Sequence, residues 1–301
     1  MNSIGGFIKF KTNIYSKNKK KEYYNNICLN YGRCCLFLIL KSHNINKIFI
    51  PYYICDSVID VINKLNIEYE FYQINESLEI NKTINLNKNE KILAINYFGI
   101  KNHYIDTLNS NYIIDCTQAF FYKPKQIGFN SARKFFGVSD GAYLFDNKKY
   151  TINNHNKSNL YTAYDKYKNY EDNIQIQPKL CSHLTKQTLK HTDYSKIKLI
   201  RKRNFLYLHG KLSNLNLLNI NINNDTPLCY PLLLSSYIDK KVFYSKQIFI
   251  PTYWNHNHYN ANFIFENLLT QNLIPLPIDH RITLSNCDYI IDIIKYNLTR
   301  K

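Results

Sequence analysis

A chain of 301 residues, 45% hydrophobic and 20% charged, is long enough for one large core plus a smaller one and too apolar for global disorder. Its formal net charge of +17 suits an anionic partner such as nucleic acid, an acidic membrane surface or a phosphorylated small molecule, without choosing among them. Eight cysteines with no Cys-x-x-Cys pair and no regular spacing speak against a disulfide framework or a zinc site and read as reduced thiols.

No basic segment followed by a long apolar one stands at the N-terminus, and the longest apolar run, "CCLFLIL" from Cys34, is far too short to span a bilayer. The expectation is a cytoplasmic protein without membrane insertion. The run "KNKKK" at Lys17 to Lys21 reads as a solvated face. From Asn26 onward, short apolar runs alternate with helical stretches. "GRCCLFLILKS", opened by Gly32, is predicted as a buried helix, and "KIFIPYY", closed by Pro51, as a buried strand. "CDSVIDVINKLN" follows as a helix capped by Asp56 or Ser57, with Val58, Ile59, Val61, Ile62 and Leu65 on one stripe. "EYEFYQI", "KILAINYFG", "NYIIDCTQ" and "GAYLF" read as further strands. Near-continuously apolar strands alternating with helices imply an α/β fold, a mostly parallel sheet flanked by helices.

From Tyr150 to Thr192 the sequence turns polar and loses its periodicity, as in a connecting excursion. Residues 193–301 are expected to form a smaller C-terminal α+β domain beside a large domain of residues 1–192. Its elements are a helix in "KIKLIRKRNFLYLHGKL", strands in "LCYPLLL" and "KQIFIP", a helix in "NFIFENLLTQN", and a last helix "CDYIIDIIKYNL" capped by Ser285 or Asn286. "HNH" at His256 to His258 lacks further ligands at zinc-like spacing and reads as a polar loop, so no metal site is expected.

In open parallel sheets, ligands collect beyond the carboxyl ends of the strands. Asp115, Tyr97, Tyr52 and Tyr53 end three predicted strands, and Gly32 opens a helix whose free amides suit a phosphate. Within "SARKFFGVSDGAYLF", Lys134 is set between Ser131 and a Phe-Phe step. An ammonium pressed into apolar surroundings is disfavoured, which makes Lys134 a candidate amine nucleophile.

The order "YGRCC", "IPYYICDSVI", "NYFGI", "DCTQAFF" and "SARKFFGVSDGAYLF", with later "RKRNFLYL", "IPTYW" and "NLIPLPIDHR", resembles the DegT/DnrJ/StrS-like sugar aminotransferases, a family of fold-type-I pyridoxal phosphate enzymes. The resemblance covers roughly Asn26 to Asn297, and Asp-x-x-Gln ahead of Lys-x(5)-Asp-Gly is its most specific part. It implies that Lys134 binds pyridoxal 5'-phosphate as a Schiff base and then shuttles a proton. It further implies that Asp115 faces the ring nitrogen and Gln118 the phenolic oxygen, and that amides around Arg33 and Cys34 hold the phosphate with Ser131. Tyr53 or Tyr97 would stack on the ring; the residues do not choose between them. By the same resemblance the activity is transfer of an amino group, commonly from glutamate, to a nucleotide-linked ketosugar in cell-surface polysaccharide or related glycan synthesis. A homodimer is implied, with no nucleic-acid partner. Two alternatives stand beside it: a cofactor enzyme on another substrate, such as a sugar dehydratase, and a non-catalytic protein of this fold that binds an anionic partner. Only nineteen positions separate Asp115 from Lys134, a segment that is longer in the family, and Gly-Ala follows Asp140 where the family has Gly-Gly.

Overall fold

The computed structural model of the protein describes residues 3–10, 23–157, 164–221, 225–254 and 259–299. The basic run at 17–21, the "HNH" loop at 256–258 and part of the polar stretch, at 158–163, lie outside them. In chain order the elements are β1 (Ile4–Gly5), β2 (Cys28–Leu29), α1 (Gly32–Ser42), β3 (Lys47–Pro51), α2 (Asp56–Lys64), β4 (Glu68–Tyr72) and β5 (Glu90–Ile95). A short 3-10 turn, Tyr97–Gly99, leads to α3 (Asn102–Thr107), β6 (Tyr112–Cys116), β7 (Gly128–Asn130) and β8 (Ala142–Phe145). Then come α4 (Tyr164–Asp172), α5 (His183–His191), α6 (Tyr194–Leu212), β9 (Cys229–Leu233), α7 (Lys241–Tyr244), β10 (Ile248–Phe249), α8 (Ile264–Asn272), β11 (Leu273–Pro277) and α9 (Leu284–Thr299).

Seven strands form one sheet in the order β2-β8-β7-β6-β5-β3-β4. Strands β4, β3, β5, β6 and β7 are mutually parallel, whereas β8 pairs antiparallel to β7 and β2 antiparallel to β8. The parallel core follows from the apolar runs: the last four residues of β3, β5 and β6 are all buried, as strands covered on both faces must be. Helix α2 buries Val58, Val61 and Ile62, the i, i+3, i+4 face that its sequence spells out. Its cap is Cys55, so that Asp56 occupies the first turn, where a carboxylate complements the helix dipole.

Several elements depart from the sequence expectations. The stretch from 150 to 192 contains two helices; α5 begins where the Ser182 hydroxyl accepts from the Thr185 amide. Strand β7 is three residues long, too short for a periodic signal. Strand β11, "LIPLP", is hidden by its prolines, yet it pairs antiparallel with β9, with Pro275 opposite Pro231. A two-stranded ribbon accepts them because each strand keeps a free edge. Helix α9 starts ahead of the expected caps: Thr283 Oγ1 accepts from the Asn286 amide, and Asn286 Oδ1 accepts from the Thr283 amide.

One contiguous apolar cluster runs from α1 and the sheet into β9, β11 and α9. A second, aromatic cluster of Tyr24, Phe120, Phe135, Phe136, Tyr143 and Tyr194 packs around the segment that carries Lys134. The segment 3–10 ties the two ends of the chain together. Strand β1 pairs parallel with β10, and Arg281 donates to the carbonyls of Gly5, Gly6 and Phe7 while Asp279 holds its guanidinium. Further along, Lys9 passes so close to Gly137 that a Cβ there would lie 2.3 Å from the Lys9 carbonyl oxygen. All eight cysteines are unpaired. No described helix is long and apolar enough to cross a membrane.

Candidate active site

Local chain geometry sets Lys134 at the surface of the aromatic cluster. At the end of β7, the Asn130 side chain accepts from the Tyr143 amide at 2.9 Å and donates to the Phe120 carbonyl at 3.3 Å. Ala132 donates to Gly141, and the amides of Phe135 and Phe136 both return to the Ala132 carbonyl, closing a tight turn about Lys134. Both phenylalanines are fully buried. Lys134 itself is half-buried, and its Nζ donates to Thr117 Oγ1 at 3.2 Å. The apolar pressure expected from "RKFFG" thus falls on the flanking rings, while the amine meets a hydroxyl.

Thr117 lies just past the end of β6, which carries Asp115, and Gln118 follows it. Asp115 is buried, and its Oδ1 accepts from the Thr117 amide at 2.7 Å. Burial pushes its carboxyl up from the ordinary range, while the Lys134 charge and the Thr117 bonds pull it back. Gln118 is fully buried; its Oε1 accepts from the Phe98 amide at 2.8 Å, and its Nε2 has no partner among the described residues. Leaving a buried donor unpaired costs about 1–3 kcal/mol, so this amide is held ready for an acceptor oxygen. The neighbouring turn is built around it: Phe98 has a φ of 54° and Gly99 a φ of 71°, and a Cβ on Gly99 would come 2.6 Å from the Gln118 carbonyl oxygen.

Helix α1 approaches the same turn, since a Cβ on Gly32 would lie 3.0 Å from Thr117 Cγ2. Its N-cap, Tyr31, supplies no side-chain cap, and its first turn holds no acidic residue. The amides of Cys34 and Cys35 donate to the Tyr31 carbonyl at 3.0 and 3.2 Å. Of the amides expected to bind an anion, that of Cys34 is therefore already engaged, and those of Gly32 and Arg33 precede the first bonds of the helix. The Cys34 thiol is pushed up to about 11 by burial. Arg33 reaches Glu171 of α4 at 3.6 Å, and Ser131 is buried at the start of the Lys134 turn.

The two tyrosines lie together. Their ring centroids are 6.0 Å apart at 24°, and Tyr97 Oη donates to the Tyr53 carbonyl at 2.7 Å. Both pack edge-on against Trp254, at 4.5 Å for Tyr53 and 5.8 Å for Tyr97. Tyr53 Oη is buried without a partner among the described residues.

For three residues that the sequence reading quoted within motifs, it assigned no role at the site. Thr117 sits inside the quoted "DCTQ" and was legible only as filler. Trp254 lies far away in sequence. Asp140, fully buried, accepts from Asn156 Nδ2, the Ser182 amide and hydroxyl, and the Thr185 hydroxyl. Asn156 donates also to Tyr31 Oη, so that the Asp of "SDG" links the turn of Lys134 to the cap of α1.

An amine, a buried carboxylate, an unpartnered amide donor and an uncapped helix terminus thus converge around Thr117. No family model and no curated protein matches the sequence. Solved structures do. A putative sugar aminotransferase, Spr1654 from Streptococcus pneumoniae in its PMP form, superposes with a TM-score of 0.65 over 99% of this chain and 94% of its own, at 14% identity. A DegT DnrJ EryC1 StrS aminotransferase from Brucella abortus gives 0.61 over 89% and 84%, at 13% identity. NtdA from Bacillus subtilis, with bound cofactor PMP, gives 0.63 over 90% of this chain and 72% of its own, at 14% identity. At such identity the likeness is one of architecture, and it extends over nearly the whole chain: this protein has the fold of the DegT/DnrJ/EryC1/StrS sugar aminotransferases.

Proposed function

We propose that the protein is a pyridoxal 5'-phosphate-dependent aminotransferase that moves an amino group from an amino acid, glutamate by family resemblance, to a ketosugar. In this reading the sugar is nucleotide-linked, the pathway makes a cell-surface or related glycan in the cytoplasm, and the enzyme is a homodimer. Residues 1–192 form its cofactor domain and 193–301 a smaller one. The observation that carries the proposal is the meeting of Lys134 with Asp115 across Thr117, beside the uncapped end of α1 and the unpartnered Nε2 of Gln118.

The residues present fit the cofactor group by group. Asp115 is a buried carboxylate at a strand end, offset by the charge of Lys134 and suited to a protonated ring nitrogen. Gln118 has a spare donor for a phenolic oxygen. The start of α1, with Arg33 and the Ser131 hydroxyl, offers a phosphate its dipole, amides and charge. Tyr53 and Tyr97, backed by Trp254, form an aromatic wall beyond neighbouring strands of the same sheet. When bound, pyridoxal phosphate supplies an aldehyde for amines and a ring that withdraws electrons from the bond to be broken.

The chain's own residues supply position and protons. Thr117 Oγ1 accepts from Lys134 Nζ and fixes the amine beside Asp115. Once neutral, that nitrogen is the group placed to take a proton from a substrate carbon and return it to another. The Thr117 amide holds the Asp115 carboxylate in one rotamer, and the Phe98 amide does the same for Gln118. Reductive trapping tests the assignment. Protein incubated with pyridoxal phosphate and treated with borohydride is expected to carry one phosphopyridoxyl group, on the peptide containing Lys134; labelling spread over surface lysines would refute it.

A further inference from the structure

Beside α1, several cations face one carboxylate. Glu171 lies 3.6 Å from Arg33, the second residue of that helix. Arg133 meets the same group with both terminal nitrogens: Nη1 donates to Oε1 at 3.3 Å and Nη2 donates to Oε2. The Arg133 guanidinium is held between the rings of Tyr31 and Tyr167, at 5.3 and 5.4 Å from their centroids, and its Nε is buried without a partner among the described residues. Burial pushes the Glu171 carboxyl up, but Arg133, Arg33 and Lys134 together outweigh it and hold the group below its usual range. Two guanidiniums and the ammonium against one carboxylate leave an excess of positive charge, to which the α1 terminus adds.

The carboxylate comes from a weakly anchored element. Helix α4, "YDKYKNYED", is polar around its circumference, and no described side chain on it is fully buried. Its ring contacts with segment 3–10 include those of Tyr164 and Tyr167 with Phe7. A planar two-nitrogen fork binds carboxylate and phosphate with the same geometry. If Glu171 withdrew, Arg133 would be left as a nearly buried charge without a counter-ion, at its side-chain exposure of 10%, and would demand another oxyanion.

We propose that Arg33 and Arg133 form an exchangeable oxyanion site next to Lys134, and that Glu171 is its built-in occupant, displaced by a soluble phosphate or carboxylate. The phosphate of the cofactor and the carboxylate of the amino donor share this chemistry. The proposed activity enters only in deciding which of them arrives: the arginines can bind an oxyanion even if Lys134 carries no cofactor.

Calorimetric titration of the full chain with inorganic phosphate and, separately, with glutarate tests this. Glu171→Gln is expected to bind at least one of them about fivefold or more tighter than the wild type, and Arg133→Lys in that background is expected to cancel the gain. A gain for phosphate identifies the cofactor's end as the natural occupant, and a gain for glutarate the donor's carboxylate. Equal or weaker binding of both by Glu171→Gln overturns the proposal and makes Glu171 a fixed structural partner. Should that variant not fold, Glu171→Asp, one methylene shorter, is expected to show a smaller gain in the same direction, and no gain overturns the proposal equally.

Discussion

Asp115 is held in the folded chain against its own preference. Burial raises its carboxyl pKa, so the folded protein binds that proton more tightly than the unfolded chain does. Its contribution to stability is then greatest at low pH and is lost as pH rises through the raised value. Asp115→Asn is therefore expected to raise the melting temperature of the cofactor-free protein at neutral pH, by a margin that shrinks on acidification, while abolishing transamination. Thermal unfolding of both proteins between pH 5 and 8, the approximate span over which most folded domains are stable, checks the sign. Gln118 separates its two roles by atom. Gln118→Glu keeps an oxygen for the Phe98 amide but removes the spare donor, and is expected to weaken pyridoxal phosphate binding about tenfold with the fold retained. Equilibrium dialysis against the cofactor measures it.

At the level of elements, the 3-10 turn after β5 exists to hold Gln118. A Cβ on Gly99 meets backbone on two sides, the carbonyls of Gln118 at 2.6 Å and Thr226 at 3.3 Å, in a left-handed conformation besides. Gly99→Ala is expected to cost about 1–3 kcal/mol in denaturant unfolding and to weaken cofactor binding alongside. The strands and helices that frame the site were legible because their apolar period is unmixed: β3, β5, β6, α1 and α2 stand where the sequence puts them. Asp115, Gln118 and Lys134 were legible as an ordered set of residue types. What pairs across long separations was not. Thr117 under Lys134, Glu171 against Arg33 and Arg133, and Asp140 bridging to Asn156 and Ser182 are contacts made by tertiary packing, and no local pattern encodes them. Strand β11 was hidden by prolines that only its place in a two-stranded ribbon permits.

Across the whole molecule, the N-terminal segment links the C-terminal elements to the turn that bears Lys134. Arg281 carries three carbonyls of that segment and is held in turn by Asp279. Burial would push Asp279 up, yet its hydrogen bond and charge contact with Arg281, joined by the Arg201 charge, hold it down at about 2. This pair contributes stability above the usual carboxylate range, and the contribution fades as pH falls toward about 2. Arg281→Ala removes the guanidinium that holds buried Asp279 and is expected to cost about 3 kcal/mol at neutral pH, with a smaller difference from wild type in acid. Early proteolytic loss of the first ten residues is expected with it, since their anchor is gone. A variant with wild-type stability and an uncut N-terminus would show that β1 and the Phe7 contacts suffice.

The most direct measurement is the visible absorption spectrum of the purified protein with pyridoxal phosphate, wild type beside Lys134→Ala, before and after addition of glutamate. The expected result is a lysine-dependent band in the wild type that bleaches when glutamate is added, no such band in Lys134→Ala, and a loss of transamination of at least about a thousandfold in that variant. Identical spectra for the two proteins, or a band that Lys134→Ala retains, would contradict the placement of Lys134 as the residue that carries the cofactor.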